Sequence, residues 1–230
     1  MTMPSWEDDG RVFASKVRVI IDAGPDQGTI AKYYDEAWRP ADGSLPPPPS
    51  ERRLQAYRKY DQGLPLERRE LPEALCVQDA KRFARTAELF KIGSYYAVRG
   101  KLAEVLSEAD LGEGGLVPIP VYEADRTTER EGPFYVLNWG ARKNTLIGGE
   151  SRSVELQGTG KSGMKYWSLK FGHKDGDLAV KASCRGGADL WFDPKLYTDF
   201  FMSGRLVEAI RRAKVKVDFD LSECRVIEGE

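Results

Sequence analysis

The chain has 230 residues, 41% of them hydrophobic and 31% charged, with a formal net charge of -1. That length holds one large domain or two small ones with a full core, and near-neutrality argues against nucleic acid or an anionic membrane as a globally attracted partner. Cys76, Cys184 and Cys224 are odd in number, far apart and without a C-x-x-C pair, which speaks against a disulfide framework or a zinc cluster and fits a reducing cytoplasm. The start, MTMPSWEDDGR, has neither the basic nor the apolar region of a signal peptide. No run approaches the ~18 apolar residues of a membrane span, so no membrane partner is expected.

Taken in chain order, Lys16 to Ile21 alternates, with Val17, Val19 and Ile21 on one face, and predicts an early strand. Pro46 to Pro49 has fixed dihedrals and no N–H donors, so it reads as a polyproline II connector. It closes an N-terminal extension over residues 1–50 and precedes an α+β domain over residues 51–230. Helices are predicted over Glu51 to Tyr60, over Asp79 to Phe90 with Phe83, Ala87 and Phe90 at helical spacing, and over Ser94 to Leu106. In the last, Tyr95, Val98, Leu102, Val105 and Leu106 share a face, Gly112 is placed to follow the end, and only Gly100 interrupts. Val117, Ile119 and Val121 alternate with Pro118 and Pro120, which confines that segment to a sheet edge or to irregular extended chain.

The middle reads as an antiparallel meander of four short strands, Phe134 to Asn138, Ser153 to Gln157, Lys165 to Phe171 and Leu178 to Ser183. Trp167, Leu169 and Phe171 share a face of the third, and Leu178, Val180 and Ala182 a face of the fourth. Ser203 then caps a short amphipathic helix whose Leu206, Val207, Ile210 and Ala213 face inward while Glu208, Arg211 and Arg212 stay wet. A closing strand follows, with Val215, Val217, Phe219 and Leu221 on its buried face. The predicted class is therefore α+β, an antiparallel sheet flanked by short helices. RGKLAEVL at Arg99 to Leu106 echoes SGRLVEAI at Ser203 to Ile210, which either a duplication or shared helix grammar explains.

Few residues carry recognisable chemistry. Gly158, Gly160 and Gly163 match G-x-G-x-x-G, but a phosphate-binding loop needs glycine where Glu155 stands and a helix where a strand pattern follows, so a hairpin turn is expected. His173, the single histidine, sits in GHKDGD and reads as a solvated turn residue, which leaves no triad or histidine base. Cys184 and Cys224 lack a neighbouring histidine and read as buried small hydrophobes. No pattern names a cofactor. The basic run Arg52, Arg53, Arg58, Lys59, Arg68 and Arg69, interleaved with Tyr57 and Tyr60, could grip a phosphate backbone, but Glu51, Asp61, Glu67 and Glu70 dilute it. The best site candidate is the glycine-bounded loop Asn138 to Gly149, where Trp139 and Arg142 are of the types that anchor protein interfaces and Lys143 stands beside them. The alternative for Trp139 is that it packs on the neighbouring strands.

The C-terminal fifth, Ala188 to Glu228, resembles the signature of a family of bacterial immunity proteins, the eleventh associated with polymorphic toxin systems and formerly a domain of unknown function. An aromatic-rich segment precedes a helix of the form S-x-R-L-x-x-A-[LI], here Ser203, Arg205, Leu206, Ala209 and Ile210. A closing C-R-V-[VI] follows, here Cys224, Arg225, Val226 and Ile227. The resemblance implies a cytoplasmic, non-enzymatic protein that binds a cognate toxin stoichiometrically and blocks it, and it makes Trp139, Arg142 and Lys143 the toxin-binding candidates. The competing classes are a small enzyme with a carboxylate-based hydrolytic or transferase site, which needs convergent carboxylates in a pocket, and a nucleic-acid accessory protein.

Overall fold

A computed structural model describes residues 9–17, 29–34, 36–38, 48–160, 163–196 and 199–229. The strand predicted over Lys16 to Ile21 falls largely outside these residues, as do Pro46 and Pro47. The first strands are β1 (Val12–Ser15) and β2 (Thr29–Tyr33), followed by helix α1 (Glu51–Asp61), β3 (Pro72–Val77), α2 (Ala80–Ala84), β4 (Leu89–Ile92) and β5 (Tyr95–Arg99). Then come α3 (Gly100–Glu108), β6 (Gly115–Pro118), β7 (Val121–Tyr122), β8 (Phe134–Asn138), β9 (Val154–Thr159) and β10 (Lys165–Leu169). The chain closes with β11 (Ala179–Lys181), β12 (Leu190–Trp191), β13 (Phe200–Ser203), α4 (Gly204–Ala213), β14 (Leu221–Glu223) and β15 (Arg225–Ile227). Short helices beside largely antiparallel sheets make this an α+β protein.

Local chemistry explains most of these boundaries. Ser50 Oγ accepts from Arg53 N at 3.2 Å to start α1, and Arg58 and Lys59 complement its carbonyl end. The helix expected over Asp79 to Phe90 is only α2, capped by Asp79. Its carbonyl end is capped by the Arg99 guanidinium, which donates to Phe83 O and Thr86 O. Phe83 and Phe90 do meet, edge to face at 5.6 Å, but across a turn between helix and strand. The helix expected over Ser94 to Leu106 is likewise two elements. Tyr95 to Val98 is apolar at every position, as a strand buried on both faces requires, and Gly100 has φ +59, a left-handed value that no helix interior accommodates.

The four strands expected in the middle are present near their predicted positions, but they do not form a meander. β8 lies between β5 and β6, β9 and β10 pair only with each other, and β11 runs parallel to β15. The glycine cluster does close the β9–β10 hairpin, with Gly160 N donating to Met164 O at 2.9 Å. Phe171, expected on the buried face of β10, is 60% exposed, with Lys16 Nζ 4.7 Å from its ring. After α4, Lys214 and Asp220 take positive φ, so the ladder starts only at Leu221, although Phe219 is buried as expected. The proline-flanked β6 and β7 are both edge strands.

Pairing order exposes a repeat. One sheet runs β4-β5-β8-β6 and another β12-β13-β1-β14, every neighbouring pair antiparallel. In each, an antiparallel pair leads through its second strand into a helix, α3 or α4, and the chain returns to the far edge of the same sheet. The flanking strands match too: β3 pairs parallel with β7, and β11 parallel with β15. β2 lies antiparallel on β3, and its counterpart is a single antiparallel bridge from Leu146 to Val180. The inserted strand differs in origin. β8 follows its unit, whereas β1 reaches the second unit from the N terminus, so β1 and β2, both within the first fifty residues, share sheets with the rest of the chain.

The sheet containing β1 separates two cores. Phe13, Phe200 and Met202 face the larger, which also holds the apolar stripes of α3 and α4, while Val12, Ala14, Trp191 and Phe201 face a smaller one with Leu146, Leu178, Val180 and Cys224. At ~25 cal/mol per Å² of apolar area, such two-sided burial makes this sheet a main contributor to stability.

Candidate functional site

The loop 138–149 is fastened along its length. Asn138 exchanges two hydrogen bonds with the Leu66 backbone, both 2.9 Å. Trp139 is 1% exposed and lies among Tyr60, Tyr96, Phe192 and Phe200, with ring centroids 4.4–6.0 Å away. This corrects the surface-anchor expectation: an indole enclosed by four aromatic rings is core, as the packed alternative held. Lys143 is also inward-bound. Its Nζ donates to the carbonyls of Cys184, Gly186 and Ala188 at 2.8–3.1 Å and sits 3.7 Å from the Trp191 ring centre, so it closes the loop before β12. Farther on, Asp193 Oδ2 accepts from the Thr145 and Leu146 amides, both at 2.6 Å, while its Oδ1 accepts from Lys195 N at 2.9 Å. Of the three candidates, Arg142 alone is exposed.

Arg142 lines a cleft of about 370 Å³. The end of α1 supplies Arg58, Asp61 and Gln62, and the β9–β10 hairpin supplies Met164 and Tyr166. Phe192 and Leu196, both buried, form the floor beside Asp193 and Pro194. The hairpin is held there by Trp167 N, which donates to Lys195 O at 2.7 Å. Of the floor residues only Phe192 stands out in the sequence, as one of the aromatics expected in the core ahead of the Ser203 helix. A further signal was Asp193-Pro194, whose carboxylate accepts from the amide two residues on, a common turn device.

Behind Asp61 the charges form a row. Burial pushes the Asp61 carboxyl up while Lys91 opposes that shift, and burial pushes the Lys91 amine down while Asp61 and Asp199 oppose it. Asp199 is 4% exposed; burial raises its carboxyl against Lys16, 3.5 Å away, and against a hydrogen bond from Leu169 N. His173, expected in solvent, is 7% exposed, with Nδ1 3.1 Å from Lys170 O and 3.9 Å from Asp220. Its turn folds back against the Asp220 segment, so the glycines around it bend the chain inward.

The other candidate chemistries are also spoken for. Tyr60 is buried, its hydroxyl donating to Leu137 O and accepting from Tyr96 N, and Arg53 is paired with Glu36 at 2.6 Å. Lys59 pairs with Glu70, and Arg68 donates to Pro72 O and Glu73 O, so Arg53, Lys59 and Arg68 of the basic run are held by neighbours within the chain. Cys76, Cys184 and Cys224 are buried, and burial raises all three thiols, away from the nucleophilic thiolate. Asp61 and Asp193 both line the cleft, but both Asp193 oxygens are occupied by backbone amides. Among the described residues no group of three or more His, Cys, Asp or Glu could hold a metal ion.

The signature residues form one tied unit. Asp189, 2% exposed, accepts from Ser203 Oγ and Arg205 Nε through Oδ1 and from Asp110 N through Oδ2 at 2.9 Å. Ser203 Oγ in turn accepts from Leu206 N at 3.2 Å. Cys224 fills the smaller core, and Arg225 reaches the Glu150 carbonyl. No protein-family model matches the chain, and a search of characterised proteins returns no match.

Proposed function

We propose that the protein is an immunity protein that binds a cognate bacterial toxin in a stoichiometric complex inside the producing cell and blocks it. The observation that carries this is the resemblance over Ala188 to Glu228, whose Ser203, Arg205 and Cys224 each have a defined place in the fold: the helix cap, the Asp189 tie and the second core. Raised thiols, a histidine packed away from solvent and a carboxylate fully used by amides favour binding over turnover. The test is co-expression with the toxin encoded beside it. Cells should survive, and the purified pair should co-elute with a buried area above ~1,000 Å². Survival without any complex would reject the proposal.

A further inference from the structure

The cleft beneath Arg142 lies where the two repeated units differ. Between β2 and β3 the first unit places α1; between the Leu146 bridge and β11 the second places the β9–β10 hairpin. These two unlike insertions supply opposite walls of the concavity. Its volume suits one or two side chains.

Among the described lining residues two arginines, Arg58 and Arg142, stand with two aspartates, Asp61 and Asp193. Both Asp193 oxygens are held by backbone amides, so its carboxylate is turned to the backbone and away from the arginines. Arg58 has only Glu51 at 3.9 Å, a contact in which both side chains are about 70% exposed and which contributes little. Arg142 has no carboxylate within ion-pair distance among the described residues. Two planar guanidinium groups therefore stand over an apolar floor, an arrangement suited to a carboxylate carried beside an apolar group. We infer that this cleft takes an acidic side chain of the partner protein together with a neighbouring aromatic one, Arg142 and Arg58 holding the carboxylate and Tyr166, Phe192 and Leu196 receiving the ring. The inference rests on the immunity reading for the identity of the partner, but its chemistry is testable without a toxin.

The probes are acetyl-Glu-Phe-amide and acetyl-Gln-Phe-amide, titrated into the full-length protein and followed by amide and side-chain NMR. The Glu peptide should shift Arg142, Tyr166 and Phe192 and bind the wild type, while the Gln peptide should bind roughly tenfold more weakly. In the double variant Arg58→Gln with Arg142→Gln that difference should vanish at an unchanged melting temperature. Equal binding of the two peptides, no binding of either at millimolar concentration, or equal shifts from inorganic phosphate alone would overturn the inference. In the toxin complex, Arg58→Glu with Arg142→Glu should abolish co-elution. A complex that survives this change unaltered refutes docking in the cleft and leaves the immunity reading standing. Selective peptide binding with no complex formed does the reverse.

Discussion

The unit built on β3 to β8 and the unit built on β11 to β15 with β1 share strand order and helix placement, yet they start their helices differently. α3 has no side-chain cap of its own; Gly100 turns the chain at φ +59 and Glu88 accepts from Leu102 N at 3.0 Å. α4 is capped from within by Ser203, itself held by Asp189, and its Gly204 has an ordinary φ, the nearest obstacle to a Cβ being the movable Asp9 carboxylate. Inward positions nevertheless correspond one for one: Leu102 with Leu206, Ala103 with Val207, Val105 with Ala209 and Leu106 with Ile210. The packing face is common to both units, while the means of starting each helix and the insertion before each unit's parallel pair are not. The candidate cleft lies between those insertions, where the repeat is broken.

Trp139 joins the units, since Tyr96 of β5 and Phe200 of β13 both contact its ring. Trp139→Ala should therefore have the largest effect, about 3–5 kcal/mol of stability, read by chemical denaturation. A loss below 1 kcal/mol or so would separate the units. Leu102→Ala and Leu206→Ala, at 1% and 0% exposure, should each cost about 2–5 kcal/mol and by similar amounts, against less than about 0.5 kcal/mol for exposed Arg212→Ala. Strongly unequal leucine costs would break the correspondence of the two faces.

The helix starts provide a finer contrast. Gly100→Ala should cost about 1–2 kcal/mol through left-handed strain, and Ser203→Ala about 0.5–2 kcal/mol through the lost cap, both read from thermal melts. The smallest effect belongs to the β7–β8 turn, which the second unit lacks because its inserted strand comes from the N terminus. There the Thr128 hydroxyl, 2.5 Å from Asp125, and the amides of Thr127 and Thr128 hold the Asp125 carboxyl down to about 2. A depressed carboxylate stabilises the fold above its ordinary range, and that contribution is lost as pH falls toward 2. Thr128→Val should move the Asp125 titration, followed by NMR, back toward the ordinary carboxylate range; an unmoved titration would show that the amides alone suffice.

Much of this was legible in the sequence where one residue decides locally. Ser50, Asp79 and Ser203 each cap the helix start expected near them, and Pro118 and Pro120 mark edge strands. The failures share a cause. Tyr95 to Leu106 fits helical spacing and also a doubly buried strand followed by a helix, and only the Gly100 interruption separated the two. Strand pairing is set by contacts between residues far apart in sequence, so four well-placed strands were assembled into a meander that does not exist. Lys143 looked like a display residue and Trp139 read either as an anchor or as packed on the neighbouring strands, because nothing beside them in sequence reveals the Phe192 ring or the 184–188 carbonyls that receive them. That Phe192 and Leu196 floor a cleft was invisible for the same reason.

The central claim is inhibition by occupancy, and a titration tests it most directly. A fixed amount of the proposed cognate toxin is mixed with increasing amounts of this protein, and residual toxin activity is read after short and long incubation. The account predicts a linear fall ending at one equivalent, the same at both times. Progressive inactivation by a small fraction of an equivalent, or full activity at excess, would contradict it.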